Sequence, residues 1–393
     1  MIIINTILAF LFSYFLFYIC YFLFYSIAGL FFPKNKLLYQ SHPHKAKFLV
    51  LIPSYKEDEI ILSTAAKAIA HDYPSDRFEV AVIADKLQAA TIEKLKAMNL
   101  RLVEVNFEVS TKAKSINKAL EVLPSDYDYV MILDSDNIMA AQCLERINHA
   151  MQKGFKVVQG HRTAKNKNTN FAILDGISEE INNHIFRIGH RAVGLSSALI
   201  GSGMAFEYNY YKKMMYGNEA MGGEDREAEL RIFKDRLTIE YAANADIYDE
   251  KVQNPEVFAK QRTRWIAGQF YFFKVHGMEG LRQLIKGNID FFNKVLQTLI
   301  PPRVILIGAL PLLAFVSYFL GLSISAAQWA ILFVLLSIAF GLAIPKKYYN
   351  KELIFALLQL PSAILHLIKG ILKIGKAHQT NFHTPHTTKD IQE

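Results

Sequence analysis

Residues 2–31 read IIINTILAFLFSYFLFYICYFLFYSIAGLF and carry no charged side chain. About 20 apolar residues suffice to cross the hydrocarbon of a bilayer, so this run constrains the chain more than any other feature. A cleaved signal peptide would want a basic start, a shorter apolar stretch and a small-residue cleavage site, and none is clear. Residues 1–33 therefore read as a transmembrane anchor, ended by Pro33. Lys34 and Lys36 follow, and positive charge beside a span marks the cytoplasmic side. Two further apolar runs, 303–322 and 326–344, read as a pair of spans within 303–345. Lys346, Lys347 and Lys351 after them return the chain to the cytoplasm. Three spans put 34–280 and the tail inside, at an inner or plasma membrane.

Two stretches read as lying along the membrane rather than crossing it. Leu281, Leu284, Ile285, Phe292, Val295, Leu296, Leu299 and Ile300 fall on one helical face, and Arg282, Lys286 and Lys294 suit headgroups. That makes 281–302 an interfacial amphipathic helix, with a helix packed on the soluble part as the alternative. Within 346–393, residues 352–373 hold Pro361, His366, Lys369 and Lys373 in an apolar background. They read as an interfacial or re-entrant helix before a cytoplasmic tail.

The sequence between the membrane segments is mixed and long enough to bury a core. A net charge of +8 suits an anionic membrane surface and anionic nucleotide ligands. The aromatic and basic interleaving of a nucleic-acid binder is missing. Two cysteines, Cys20 and Cys143, make neither a disulfide framework nor a zinc site. Apolar β-branched runs at 47–52, 78–84, 100–105 and 127–133 alternate with helical patterns near 58–71, 90–98, 112–122 and 140–152. This alternation predicts an α/β domain, a mainly parallel, doubly wound sheet with helices on both faces. Ligands of such sheets bind outside the carboxyl ends of the strands.

Polar clusters stand at those ends. The first strand runs into Pro53-Ser54-Tyr55-Lys56-Glu57, the second into Asp85 and the fourth into Asp134-Ser135-Asp136-Asn137. A lone Asp after a strand is more often a turn or cap residue. Two carboxylates one residue apart are more specific, because they repel unless a cation lies between them. Hard oxygen ligands of this kind suit Mg²⁺ or Mn²⁺ bridging to phosphates.

These motifs, in this order, resemble the membrane-bound polysaccharide-synthase branch of the family-2 glycosyltransferases, such as cellulose, chitin, hyaluronan and poly-N-acetylglucosamine synthases. The resemblance covers about 45–275. IPSYKE is similar to the opening Pro-x-Tyr-x-Glu turn, Asp85 to the aspartate after the second strand, and Lys112 with Asn117 to a Lys and Asn five apart. Asp134-Ser135-Asp136 resembles the Asp-x-Asp motif, Gly201-Ser202-Gly203 the small-residue acceptor loop, and Glu224-Asp225 the acidic pair. Gln261-Arg262-Thr263-Arg264-Trp265 matches Gln-x-x-Arg-Trp, the most specific of the set because Trp is rare. Gly223 stands where many members place Thr.

The resemblance implies a GT-A-like fold and an inverting transfer from a nucleotide-diphosphate sugar, a UDP-sugar above all, to a glycan acceptor. Asp136 then ligates the metal and Asp134 contacts the nucleotide or donor sugar. Glu57 and Asp85, beside Pro53 and Tyr55, hold base and ribose, and Lys112 stands near the phosphates. Asp225 is the candidate general base beside Glu224, although acidic residues also favour a helix's first turn. Arg264 suits phosphate, and Trp265 offers a flat face to a sugar ring or packs in a core. Gly201 and Gly203 let an acceptor approach backbone or make a bulged strand. His161, His184, His190 and the tail histidines receive no role. A glycolipid synthase with a lipid acceptor is the main alternative, and an oligomer or export partner is left open. A phosphohydrolase using Asp134 as nucleophile explains Gln261 to Trp265 poorly, and the full set of carboxylates argues against a decayed scaffold.

Overall fold

The structure is a computed structural model that describes residues 2–32, 42–218, 223–372 and 386–392. Pro33, Lys34, Lys36 and Lys373, used above to orient and bound the spans, lie outside the described residues. Chain segments gather into two compact units that do not follow linear order. One comprises Met1–Phe32, Asn168–Gly194 and Val252–Phe382, and the other Pro33–Lys167, Leu195–Lys251 and His383–Glu393.

The second unit is built on an eight-stranded sheet. Its strands are β1 (Phe48–Tyr55), β2 (Phe78–Asp85), β3 (Arg101–Val105), β4 (Tyr129–Ile132), β5 (Ile138–Met139), β6 (Val157–Ala164), β7 (Met204–Glu207) and β8 (Ile239–Asp249). They lie in the order β3-β2-β1-β4-β7-β6-β8-β5. The pairs β3–β2, β2–β1 and β1–β4 are parallel, as the βα alternation predicts. Phe48 to Ile52 are buried throughout, as expected of a central parallel strand covered on both faces. Beyond β4 the sheet turns mixed: β7 runs antiparallel to both β4 and β6, while β8 is parallel to β6 and antiparallel to β5. The sequence pattern missed β5, which has only two residues and no alternation to read.

Register positions the strand ends. Tyr55 pairs with Asp85, so β1 and β2 finish level. Leu133 N–H donates to Leu51 carbonyl at 2.9 Å, which brings the turn after β4 alongside them. One face of the sheet packs Val50, Ile52, Val82, Met131 and Ile247 against Ile61, Ala65, Leu144 and Ile147 from flanking helices.

In the first unit, four helical stretches are long and apolar enough to cross a membrane: Ile2–Leu30, Arg303–Leu320, Ala326–Ala343 and Lys351–Ile371, with mean hydropathies of 2.3, 2.1, 2.1 and 1.7. The fourth covers the stretch read as interfacial or re-entrant. It is the least apolar and is interrupted, Lys351–Leu357 being followed by Leu360–Ile371 with Pro361 in its opening turn. The first helix packs through aromatic rings, Phe12 edge-on to Trp329 at 5.3 Å and Phe22 tilted against Phe340 at 5.5 Å between ring centroids. It also receives the π-helical turn Asn183–Gly189, which continues the helix Asn170–Asn182 and sets Phe186 6.4 Å from Phe22 between ring centroids. His184 Nε2 lies 2.8 Å from the Ser26 carbonyl, and a Cβ on Gly189 would overlap the Tyr25 backbone.

The amphipathic stretch at 281–302 is not one helix. Pro255–Ile285 is a 31-residue helix that takes Leu281, Leu284 and Ile285 as its end. Gly287 has φ of 71°, and Asn288 caps the next helix, Ile289–Gln297, through Phe291 N–H at 3.2 Å. A left-handed glycine and an Asn cap together break a helix that apolar spacing alone would continue.

Candidate active site

The carboxyl ends of the parallel strands gather several of the residues that the motifs singled out, and Lys112 joins three of them, Asp134, Gly201 and Glu224. This lysine opens the helix Lys112–Val122, whose cap is Thr111, accepting from Lys114 N–H. The Lys112 ammonium lies 2.5 Å from Asp134 Oδ1, 2.6 Å from the Gly201 carbonyl and 3.6 Å from Glu224 Oε1. Burial opposes its charge, yet Asp134 and Glu224 hold it above the ordinary lysine range. Glu224 experiences the reverse balance: burial pushes its carboxyl up and Lys112 opposes. Asp85 accepts from Ser110 Oγ at 3.0 Å and from Ser115 Oγ at 3.4 Å, so the same helix start positions it.

Asp136 is buried, and its Oδ2 accepts from Glu250 N–H at 3.1 Å. Burial raises its pKa, with His386 opposing and Asp249 and Asp134 adding to the rise. The Lys165 ammonium donates to the Asp136 carbonyl. Asp249 behaves differently. Burial works against its charge, but Arg162 and Lys251, the latter at 2.6 Å, hold its carboxyl far below the usual range. Among the described residues no three His, Cys, Asp or Glu side chains converge as a ready cage for a metal. Asp136 and Asp134 still fit a Mg²⁺ or Mn²⁺ ion of the kind that takes one or two carboxylates and fills its shell with phosphate oxygens and water.

The loop Gly201, Ser202 and Gly203 is held from several sides. Gly201 and Gly203 have φ of 80° and 65°. Ser202 Oγ donates to Asn137 Oδ1 at 2.6 Å and accepts from Asp134 N–H at 2.9 Å. The loop is thereby tied to the acidic turn after β4. A residue that motif reading missed does as much. Gln159, fully buried on β6, donates to the Ser202 carbonyl at 2.9 Å and accepts from Ile200 N–H at 3.1 Å. No local pattern announces it, because a buried Gln in a strand has no spacing of its own. A Cβ built on Gly201 would sit 3.8 Å from Asp225 Oδ2, so Asp225 faces this loop. Asp225 lies in the first turn of Glu224–Lys234, after Gly223 at φ of 72°, and its Oδ1 accepts from Arg226 N–H at 2.8 Å. The departure at Gly223 thus supplies a left-handed residue at the helix entry.

Gly203 gives a stability test. A Cβ there would overlap the Ile247 side chain, and the backbone is left-handed. Gly203→Ala is expected to destabilise the protein by about 1–3 kcal/mol through overpacking and strain. A melting temperature equal to that of the unsubstituted protein would show that the loop yields freely.

Glu57 is buried, with its Oε1 2.8 Å from His386 Nδ1. Burial opposes protonation of His386, yet Asp136 and Glu57 push its pKa up to about 10. This tail histidine, assigned nothing from sequence, stands within the acidic cluster. Pro53 and Tyr55 end β1, and Lys56 and Lys86 both approach the Tyr55 ring, at 5.3 Å and 5.9 Å from its centroid. Gln261, Arg262, Arg264 and Trp265 belong to the other unit, on the helix Pro255–Ile285. There Arg262 lies 2.5 Å from Asp175 Oδ1 and 4.2 Å over the Trp265 ring, while Arg264 is exposed.

A parallel half-sheet continued by reversed strands, with acidic turns at its carboxyl ends, makes this a GT-A-like α/β fold, and the chain also carries helices long and apolar enough to cross a membrane. Residues 43–268 match the family model described as Glycosyltransferase like family 2, more than half of the 393-residue chain, and the chain belongs to that family. It is 24% identical over 241 residues to "Probable glycosyltransferase YdaM" of Bacillus subtilis (strain 168). That match takes in 57% of this chain and 56% of the relative, so the chain spans about half the relative's length. In fold the chain is similar to the mannosyltransferase PcManGT of Pyrobaculum calidifontis, solved with GDP-Man and Mn²⁺. The TM-score is 0.51 at 15% identity, over 94% of this chain and 96% of that one.

Proposed function

We propose that this chain transfers a sugar from a nucleotide-diphosphate sugar to a glycan acceptor at the cytoplasmic face of a membrane, with inversion at the anomeric carbon. The observation that carries the reading is the Lys112 ammonium, shared between Asp134 and the Gly201 carbonyl. One lysine thereby joins the acidic turn after β4 to the glycine loop that Asp225 faces.

The chemistry has two demands. Negative charge grows on the departing diphosphate, and the acceptor hydroxyl must lose a proton. A divalent cation held by Asp136 with Asp134 would supply the neutralising charge at the phosphates. Lys112 adds a fixed ammonium, kept protonated by its acidic neighbours. Asp85 at the end of β2 and Glu57 just beyond the end of β1 suit the hydroxyls of a nucleoside. Asp225 takes the acceptor proton, with Gly201 leaving room for the hydroxyl because it has no side chain. Trp265 and Arg264 are assigned to acceptor handling by the family motif they match.

The test is incubation of membranes containing the protein with a panel of UDP- and GDP-sugars in Mn²⁺, followed by product sizing. Transfer from one donor is expected, dependent on the divalent cation. Products of several sizes indicate a polymer, and a single glycolipid indicates a lipid acceptor. No transfer from any donor in the panel would refute the reading.

A further inference from the structure

We infer that Asp175 is a positioning residue for acceptor handling: it fixes the Arg262 guanidinium over one face of Trp265, so that an acceptor sugar meets the indole on the opposite face. The inference rests on the acceptor role proposed above for Trp265.

All three side chains lie in one compact unit. Asp175 stands on the helix Asn170–Asn182 and is buried. Its Oδ1 accepts from Arg262 Nη2 at 2.5 Å, and its Oδ2 accepts from Val252 N–H at 3.3 Å. Val252 leads into the helix Pro255–Ile285, and Arg262 lies within that helix. Both oxygens of one carboxylate therefore hold the segment that carries the Gln261 to Trp265 match. One turn before Asp175, Phe171 packs on Phe258 of the same segment, 6.1 Å between ring centroids. Asp175 precedes Arg262 by 87 positions, so no motif joins them.

Phe258, Arg262 and Trp265 are spaced four and three apart and share one face of their helix. The guanidinium lies 5.0 Å from the Phe258 centroid and 4.2 Å from that of Trp265, within cation–π reach of both rings. A planar guanidinium can stack by its flat side while its edge donates to a carboxylate. Holding the tip of so long a side chain removes its rotamer freedom, and release restores it. Trp265 is half-buried, so part of the indole stays accessible. With one face occupied by a fixed cation, the sugar stacks on the other.

The experiment uses the full chain in detergent, with a detergent extract of the producing cells' membranes as acceptor source. Asp175→Ala and Arg262→Lys should each raise the apparent KM for the extract about three- to ten-fold, the scale of one lost cation–π stack. The lysine keeps the charge and loses the flat fork. Turnover at saturating extract, and affinity for Mn²⁺ plus UDP or GDP, should stay within about two-fold of the unsubstituted chain. The double variant should be no worse than Arg262→Lys alone, because both changes break one contact. Asp175→Glu, which keeps the carboxylate, should recover part of the loss. In a Trp329→Phe background, acrylamide should quench Trp265 more strongly in both variants. Lower melting temperatures with KM and quenching unchanged, while Trp265→Ala raises KM, would overturn the inference and make the pair a packing contact. A fall in turnover or nucleotide affinity with KM unchanged would overturn it too. An unchanged KM in Trp265→Ala would instead remove the acceptor role of the indole, and the inference with it.

Discussion

Asp225→Asn is expected to lower single-turnover transfer by about 10²–10⁴-fold while leaving nucleotide affinity near that of the unsubstituted enzyme. The amide keeps the shape and loses the basicity. Asp225 stands in the first turn of its helix, where a carboxylate is favoured by the helix dipole whatever else it does. That role alone predicts a different outcome, a stability loss of at most ~1 kcal/mol with turnover nearly intact. The geometry favours the larger effect, because Asp225 Oδ2 faces Gly201 while Oδ1 accepts from Arg226 N–H. Measuring nucleotide binding, single-turnover transfer and melting temperature on one preparation separates the two. Near-normal turnover in Asp225→Asn would remove the base and leave the proposed transfer chemistry to the metal-side residues.

Asp136→Ala is expected to reduce Mn²⁺-dependent nucleotide affinity by at least ~10²-fold and to abolish measurable transfer. Residues that merely orient a metal ligand commonly cost 10–100-fold when changed, and a ligand itself costs no less. Burial raises the Asp136 carboxyl, with His386 opposing and Asp249 and Asp134 adding to the rise, so a divalent cation bound there would favour its charged form. Lys165 meets the Asp136 carbonyl rather than its carboxylate, so the ammonium stays in place when the side chain is removed. Full activity of the variant in excess chelator would refute the assignment of this residue to the metal.

Much of this was legible in the chain. The apolar runs at 2–31, 303–322 and 326–344 correspond to helices of the expected length and composition. The parallel half of the sheet follows from four β-branched runs separated by helical periods. Asp85, Asp134 and Asp136 stand at strand ends, where that topology puts ligand contacts. Less legible was the helix break at Gly287, since apolar spacing continues across it and one left-handed residue overrides the pattern. The reversed strand β7 was hidden too, because it depends on the positive-φ glycines that lead into it.

Gln159 and His386 mark the boundary most clearly. Sequence determines periodicity, turn chemistry and the order of motifs, because each is written in residues a few positions apart. It therefore determined three of the four helices long and apolar enough to cross a membrane, the parallel strands and the carboxylates at their ends. Tertiary structure decided which distant side chains meet: Lys112 with Gly201, Gln159 with Ser202, His386 with Glu57. Those contacts arise from strand register and from packing across as many as 329 positions, and hydrogen-bond partners at such separations leave no period in the chain.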